Sequence, residues 1–144
     1  MRIDGEWHTG DDGVARPVIR GEILAAGGSW TRAPFLLDTG ADRTVLSAAI
    51  LRLLGLRTEQ SRDRIGGLGG VAASVSVETA IRLTRDGGGK VLLRGQFAAV
   101  TELEALDICV LGRDITGLFA VIVDQPANTI CLLGQRHRYA IEAI

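Results

Sequence analysis

The stretch Phe35-Leu36-Leu37-Asp38-Thr39-Gly40-Ala41-Asp42 constrains this chain more than any other. An apolar run meets a carboxylate, and a Thr and a Gly follow at once. A buried carboxylate is costly unless it is hydrogen-bonded or paired. The chain must therefore deliver Asp38 to a place where donors converge. Gly40 lets backbone approach closely, and Thr39 offers a hydroxyl for a local network. An apolar strand ending in a small-residue turn meets these demands.

The rest of the sequence reads as strands around that turn. Pro17–Ala26 alternates and predicts a strand, Gly27-Gly28-Ser29 a turn, and Trp30–Asp38 a second strand that delivers Asp38 at its end. Ser47–Leu54 is the best helix: Ser47 suits an N-cap, Gly55 suits C′, and Leu46, Ile50, Leu53 and Leu54 share one apolar face. Arg62–Ile65 and Val71–Thr84 predict two strand arms around the glycine-rich tip Gly66–Gly70. Asp86-Gly87-Gly88-Gly89 turns the chain into a strand over Lys90–Val100. Ile108–Leu111 is a short apolar run, and Gly112–Phe119 holds one or two helical turns. Ala120–Asp124 and Thr129–Leu133 form a last hairpin across Gln125-Pro126-Ala127-Asn128. Residues 1–16 show no periodicity and read as a flexible arm or an edge segment before a domain over 17–144. A length of 144 residues argues for one domain, and 19 glycines suit many tight turns.

Composition narrows the function classes. The formal net charge is −1, and Lys90 is the only Lys, so no footprint for nucleic acid or an anionic membrane exists. Cys109 and Cys131 sit in apolar runs and read as buried, reduced thiols. The polar, acidic start MRIDGEWHTGDDG is unlike a signal peptide, and no apolar run approaches a membrane span. A cytoplasmic protein beginning natively at Met1 is the expectation. His8 and His137 lack companions with ligand spacing, so no metal and no cofactor are expected. The Gly66–Gly70 stretch lacks the Lys-Ser/Thr and following helix of a phosphate loop.

One carboxylate cannot hold a water between an acid and a base. Two can, sharing one proton, because like charges about 3 Å apart cannot both ionise. The chain has a single Asp-Thr-Gly. A twofold homodimer brings Asp38 against its own symmetry mate.

Leu37-Asp38-Thr39-Gly40-Ala41-Asp42 followed by Thr44-Val45-Leu46 resembles the active-site segment of retropepsins, the single-domain dimeric aspartic proteases. Arg64-Ile65-Gly66-Gly67-Leu68-Gly69-Gly70 resembles their flap, and Val110-Leu111-Gly112-Arg113-Asp114 the segment that opens their short helix. The resemblance spans about residues 17–133. It implies a mainly β fold: a retropepsin-like closed β-barrel with one or two short helices and a β-hairpin flap. It implies an aspartic endopeptidase with Asp38, Thr39 and Gly40 as the catalytic segment. Ala41, Asp42, Leu36, Val45, Ile65, Gly66, Gly67, Leu68, Ile108 and Val110 match positions that contact substrate. Asp42 and Arg113 match an ion pair that buttresses the catalytic loop, and Thr39 a hydrogen bond across the dimer axis. The helix over Ser47–Leu54 and the closing hairpin are closer to cellular and bacterial members than to viral ones. The hairpin is therefore expected to supply interface strands.

Two functions remain compatible with these residues. One is a homodimeric endopeptidase acting on peptide or protein substrates. The other is a catalytically silent peptide-binding or dimerisation module on the same fold. Self-processing from a precursor is a third, weaker option.

Overall fold

The computed structural model describes residues 1–67, 70–134 and 140–143. Arg2–Asp4 (β1) and Glu6–Thr9 (β2) lead into Ala15–Leu24 (β3). The chain turns back as Trp30–Leu37 (β4), which ends one residue before Asp38. Val45–Leu46 (β5) precedes the helix Ala48–Leu54 (α1). Thr58–Gly67 (β6) and Gly70–Thr84 (β7) form a long antiparallel ribbon. After a single 3-10 turn at Asp86–Gly88, Lys90–Val100 (β8) runs back along β7. Cys109–Leu111 (β9), the short helix Arg113–Thr116 (α2) and the hairpin Ala120–Asp124 (β10) with Thr129–Leu133 (β11) follow.

Eight strands pair in the order β2-β3-β4-β9-β5-β8-β7-β6, and β3 also pairs with β7. That second pairing, Gly21↔Leu83 to Ile23↔Ile81, bends the sheet into a ring. A separate antiparallel sheet holds β1, β11 and β10, with β11 in the middle. Ile3, Ile19, Ile23, Phe35, Leu46, Ile81, Leu83, Leu111 and Leu132 come from both sheets and join one buried core. Burying a side chain of this kind contributes roughly 1.5–3 kcal/mol, so an almost wholly aliphatic core suffices. Cys109 and Cys131 are buried and unbridged in strands, and burial pushes both thiols up.

Of the two readings of residues 1–16, the structure has the edge segment and not the free arm. Ile3 is 1% exposed and pairs with Leu132, while β2 pairs with β3 from Glu6↔Val18 to Thr9↔Ala15. A boundary at residue 17 would fall inside β3. The Gly- and Asp-rich composition hid this, because one buried Ile in a three-residue strand leaves no periodicity.

The α1 caps match their chemistry. Ser47 Oγ accepts from the Ile50 N–H at 3.4 Å, and Gly55 sits left-handed at φ 61°. The apolar face differs from the expected one. Leu53 is 69% exposed, whereas Ala48 and Leu54 are buried and Ile50 and Leu51 pack on the core. Leu46 belongs to β5, so a helical phase counted from it is rotated.

Glu22 on β3 ties three strands together. Its carboxylate takes Arg82 of β7 at 2.9 Å and Lys90 of β8 at 3.0 Å, and the Arg82 guanidinium lies 4.1 Å from the Trp30 ring centroid. Arg82 first, then Lys90, holds the Glu22 carboxyl down to about 2. A depressed carboxyl contributes stability above its unfolded value and loses it as pH falls through the folded one. Glu22→Gln is therefore expected to cost about 1–2 kcal/mol near neutral pH, discounted for solvent screening. The gap to wild type closes between about pH 4.5 and 2, as urea unfolding at stepped pH will read.

Candidate active site

The loop from Asp38 to Thr44 hangs between β4 and β5. β4 and β9 run parallel, Phe35↔Cys109 to Leu37↔Leu111, and the Asp38 N–H donates to the Leu111 carbonyl at 3.2 Å. The ladder thus carries one step past β4 and fixes where Asp38 emerges. Within the turn, the Gly40 N–H donates to Asp38 Oδ1 at 2.9 Å and the Ala41 N–H to the Asp38 carbonyl at 3.2 Å. Asp38 is half-buried; Thr39 and Gly40 are exposed.

α2 holds the loop from behind. The first N–H groups of a helix lack intrahelical partners. Here the Arg113 N–H donates to the Ala41 carbonyl at 2.8 Å and the Asp114 N–H to the Asp42 carbonyl at 3.2 Å. The Arg113 side chain adds a fork: Nη1 donates to the Thr39 carbonyl at 2.8 Å and Nη2 to Asp42 Oδ1. Both charged side chains are exposed, so their Coulombic worth is small. The planar fork matters for geometry, because it clamps two points of one loop.

Asp114 and Thr44 form a second clamp, for which no role is legible in the sequence. The Thr44 N–H donates to Asp114 Oδ1 at 2.9 Å, and Thr44 Oγ1 donates to the same oxygen at 2.7 Å. Thr44 Oγ1 in turn accepts from the Gly112 N–H at 3.1 Å, inside a fully buried position. The one available signal was an acidic residue in the first turn of α2, a common N-terminal preference. Gly112 itself lies against backbone: a Cβ there would come within 2.8 Å of Arg43 Cα and closer still to the Arg43 carbonyl.

The expected substrate-contacting residues fall into two groups. Ala41, Val45, Ile65 and Val110 gather in one small apolar cluster with Val100, Ala72, Ala98, Ala105 and Leu106. Ala41, Asp42, Val45, Ile65 and Gly66 line a cavity of about 390 Å³ between the Asp38 loop and the β6–β7 ribbon. Asp38 stands outside that lining, and Gly40 is within it. Leu36 and Ile108 line a different cavity of about 450 Å³, together with His8, Arg16 and Asp107. Gly67 ends β6, paired with Gly70. Leu68 and His137 lie outside the described residues. Among the described residues no cluster of His, Cys, Asp and Glu could hold a metal ion, and no helix is long and apolar enough to cross a membrane.

This architecture has solved counterparts. The EIAV protease complexed with the inhibitor HBY-793 superposes with a TM-score of 0.53 at 29% identity, over 71% of this chain and 86% of that one. A retropepsin-like aspartic protease from Rickettsia conorii superposes with a TM-score of 0.57 over 92% of this chain and 89% of that one. Its identity is 18%, so that likeness speaks for the fold alone. A comparison with curated proteins finds no match. The sequence model described as Aspartyl protease matches residues 24–136, a span that includes the Asp38 loop, the β6–β7 ribbon and α2. With that span matched, the chain belongs to the aspartyl protease family, and its fold is retropepsin-like.

Proposed function

We propose that the protein is an aspartic endopeptidase active as a homodimer, with a water held between the Asp38 carboxylates of the two subunits. One observation carries this reading. Three carboxylates gather at the site, and two are engaged: Asp42 by Arg113, and Asp114 by Thr44. Asp38 takes only the Gly40 N–H, on Oδ1, among the described residues. Its other oxygen is left for chemistry, at a turn whose Thr39 and Gly40 face solvent.

In this mechanism the ionised Asp38 takes a proton from the water, and its protonated mate hydrogen-bonds the scissile carbonyl. Water attacks without a covalent intermediate, and the proton passes to the leaving nitrogen. Substrate lies as an extended strand between the loop and the β6–β7 ribbon. That ribbon acts as a flap that covers the bound peptide and excludes water, with Gly66 and Gly67 at the end of β6 and Gly70 at the start of β7. The apolar Val45, Ile65 and Val110 favour apolar side chains beside the cut.

β10 supplies the subunit interface. Among the described residues it is an edge strand, paired only with β11, of sequence Ala-Val-Ile-Val-Asp, with Val123 47% exposed and Leu118 before it 65% exposed. A long apolar edge is a template for another strand. Val123→Lys is expected to raise the dimer dissociation constant about tenfold or more by sedimentation, while leaving monomer unfolding unchanged. An unaltered constant would remove β10 from the interface.

The catalytic reading is tested by cleavage of a peptide library from acid to neutral pH, across protein concentrations that span dimer dissociation. Specific activity is expected to rise with the dimer fraction. A dimer that cleaves nothing at any pH would instead support the silent peptide-binding module.

A further inference from the structure

We propose that the cavity between the β6–β7 ribbon and the β8–β9 connection takes a basic side chain of the bound peptide, a Lys or Arg placed away from the scissile bond. This rests on the peptidase reading and adds the charge that one subsite selects. The cavity has a volume of about 260 Å³ and shares Ile65 and Gly66 with the cavity beside the Asp38 loop. The two cavities therefore adjoin the same stretch of β6.

The lining has two chemical parts. Ile65, Val71, Ala72 and Leu106 make an apolar wall, and Glu102 and Glu104 line the same space. Lys and Arg match that division, with an aliphatic stem for the wall and a cationic head for the carboxylates. Neither Glu forms an ion pair among the described residues, whereas Glu6, Asp12, Glu22 and Asp42 each take an Arg. From Gly95 to Gly112 the chain holds no Lys, Arg or His, so no cation adjacent in sequence neutralises the pair. The cavity beside Leu36 and Ile108 differs, since Arg16 and Arg20 share it with Asp11 and Asp107 and no one sign prevails.

The test uses the full-length dimer and peptides varied one position at a time among Lys, Arg, Glu, norleucine and Ala. At one position the wild type is expected to prefer Lys or Arg over norleucine by about tenfold in kcat/KM, the scale of one charge-assisted contact. The preference weakens with added salt. In the double variant Glu102→Gln, Glu104→Gln it falls below about twofold. Binding of non-cleavable reduced-amide versions is read in parallel by fluorescence anisotropy. Cleavage without a basic preference, or with one that the double variant keeps, overturns the subsite and leaves the peptidase reading standing. Absence of cleavage with a Glu-dependent basic preference in binding upholds the subsite and overturns the peptidase reading.

Discussion

Asp38→Asn is expected to lower peptide cleavage by at least about 10³-fold, with fold and dimer intact. The change is nearly isosteric, and an amide oxygen can still accept the Gly40 N–H that now reaches Oδ1. The surrounding clamps involve Arg113, Asp42, Asp114 and Thr44, none of which bonds to the Asp38 side chain. Stability should therefore change little, and the loss belongs to the chemistry. An amide can neither take the proton from water nor share one with a mate. In mixed dimers one variant subunit spoils the pair, so excess Asp38→Asn chain should titrate away wild-type activity after subunit exchange. Activity that merely dilutes in proportion would mean that each chain works alone.

Gly112→Ala is expected to destabilise the fold by about 3 kcal/mol, a fall in Tm of about 10 °C, and to take activity with it. The new methyl would meet the Arg43 backbone, which has no rotamer to move aside. Relief would require β9 and the loop from Asp38 to Thr44 to separate. That separation breaks the Gly112 N–H bond to Thr44 Oγ1 at 3.1 Å and, through it, the Asp114 clamp. Gly66→Ala is the matched control. A Cβ there would find Val71 Cγ2 at 3.9 Å as its nearest neighbour, so stability should stay within about 0.5 kcal/mol. Thermal unfolding of the two variants side by side checks the contrast.

Much of this site was legible because its chemistry is local. Apolar Phe35-Leu36-Leu37 running into Asp38 could only be a strand that ends at a carboxylate, and β4 ends there. Ser47 and Gly55 announced both ends of α1 through their own side-chain and backbone preferences. The strands β7, β8, β10 and β11 followed from alternation and turn residues. What escaped depends on residues distant in sequence. β4 pairs in parallel with β9, more than 70 residues on, and nothing local records that partnership. The Thr44–Asp114 bonds span a separation of 70 residues. Ile3 is core only because Leu132 lies opposite it. Leu53 looked buried because Leu46 was counted as helical, whereas the strand β5 had already set its orientation.

The central claim is that Asp38 works only opposite a second Asp38. The distance between the two Asp38 carboxylates in a crystal structure of the dimer tests it most directly. The account predicts oxygens about 3 Å apart across a twofold axis, close enough to share one proton. A dimer that holds the two carboxylates too far apart to share a proton or one bound water would contradict it.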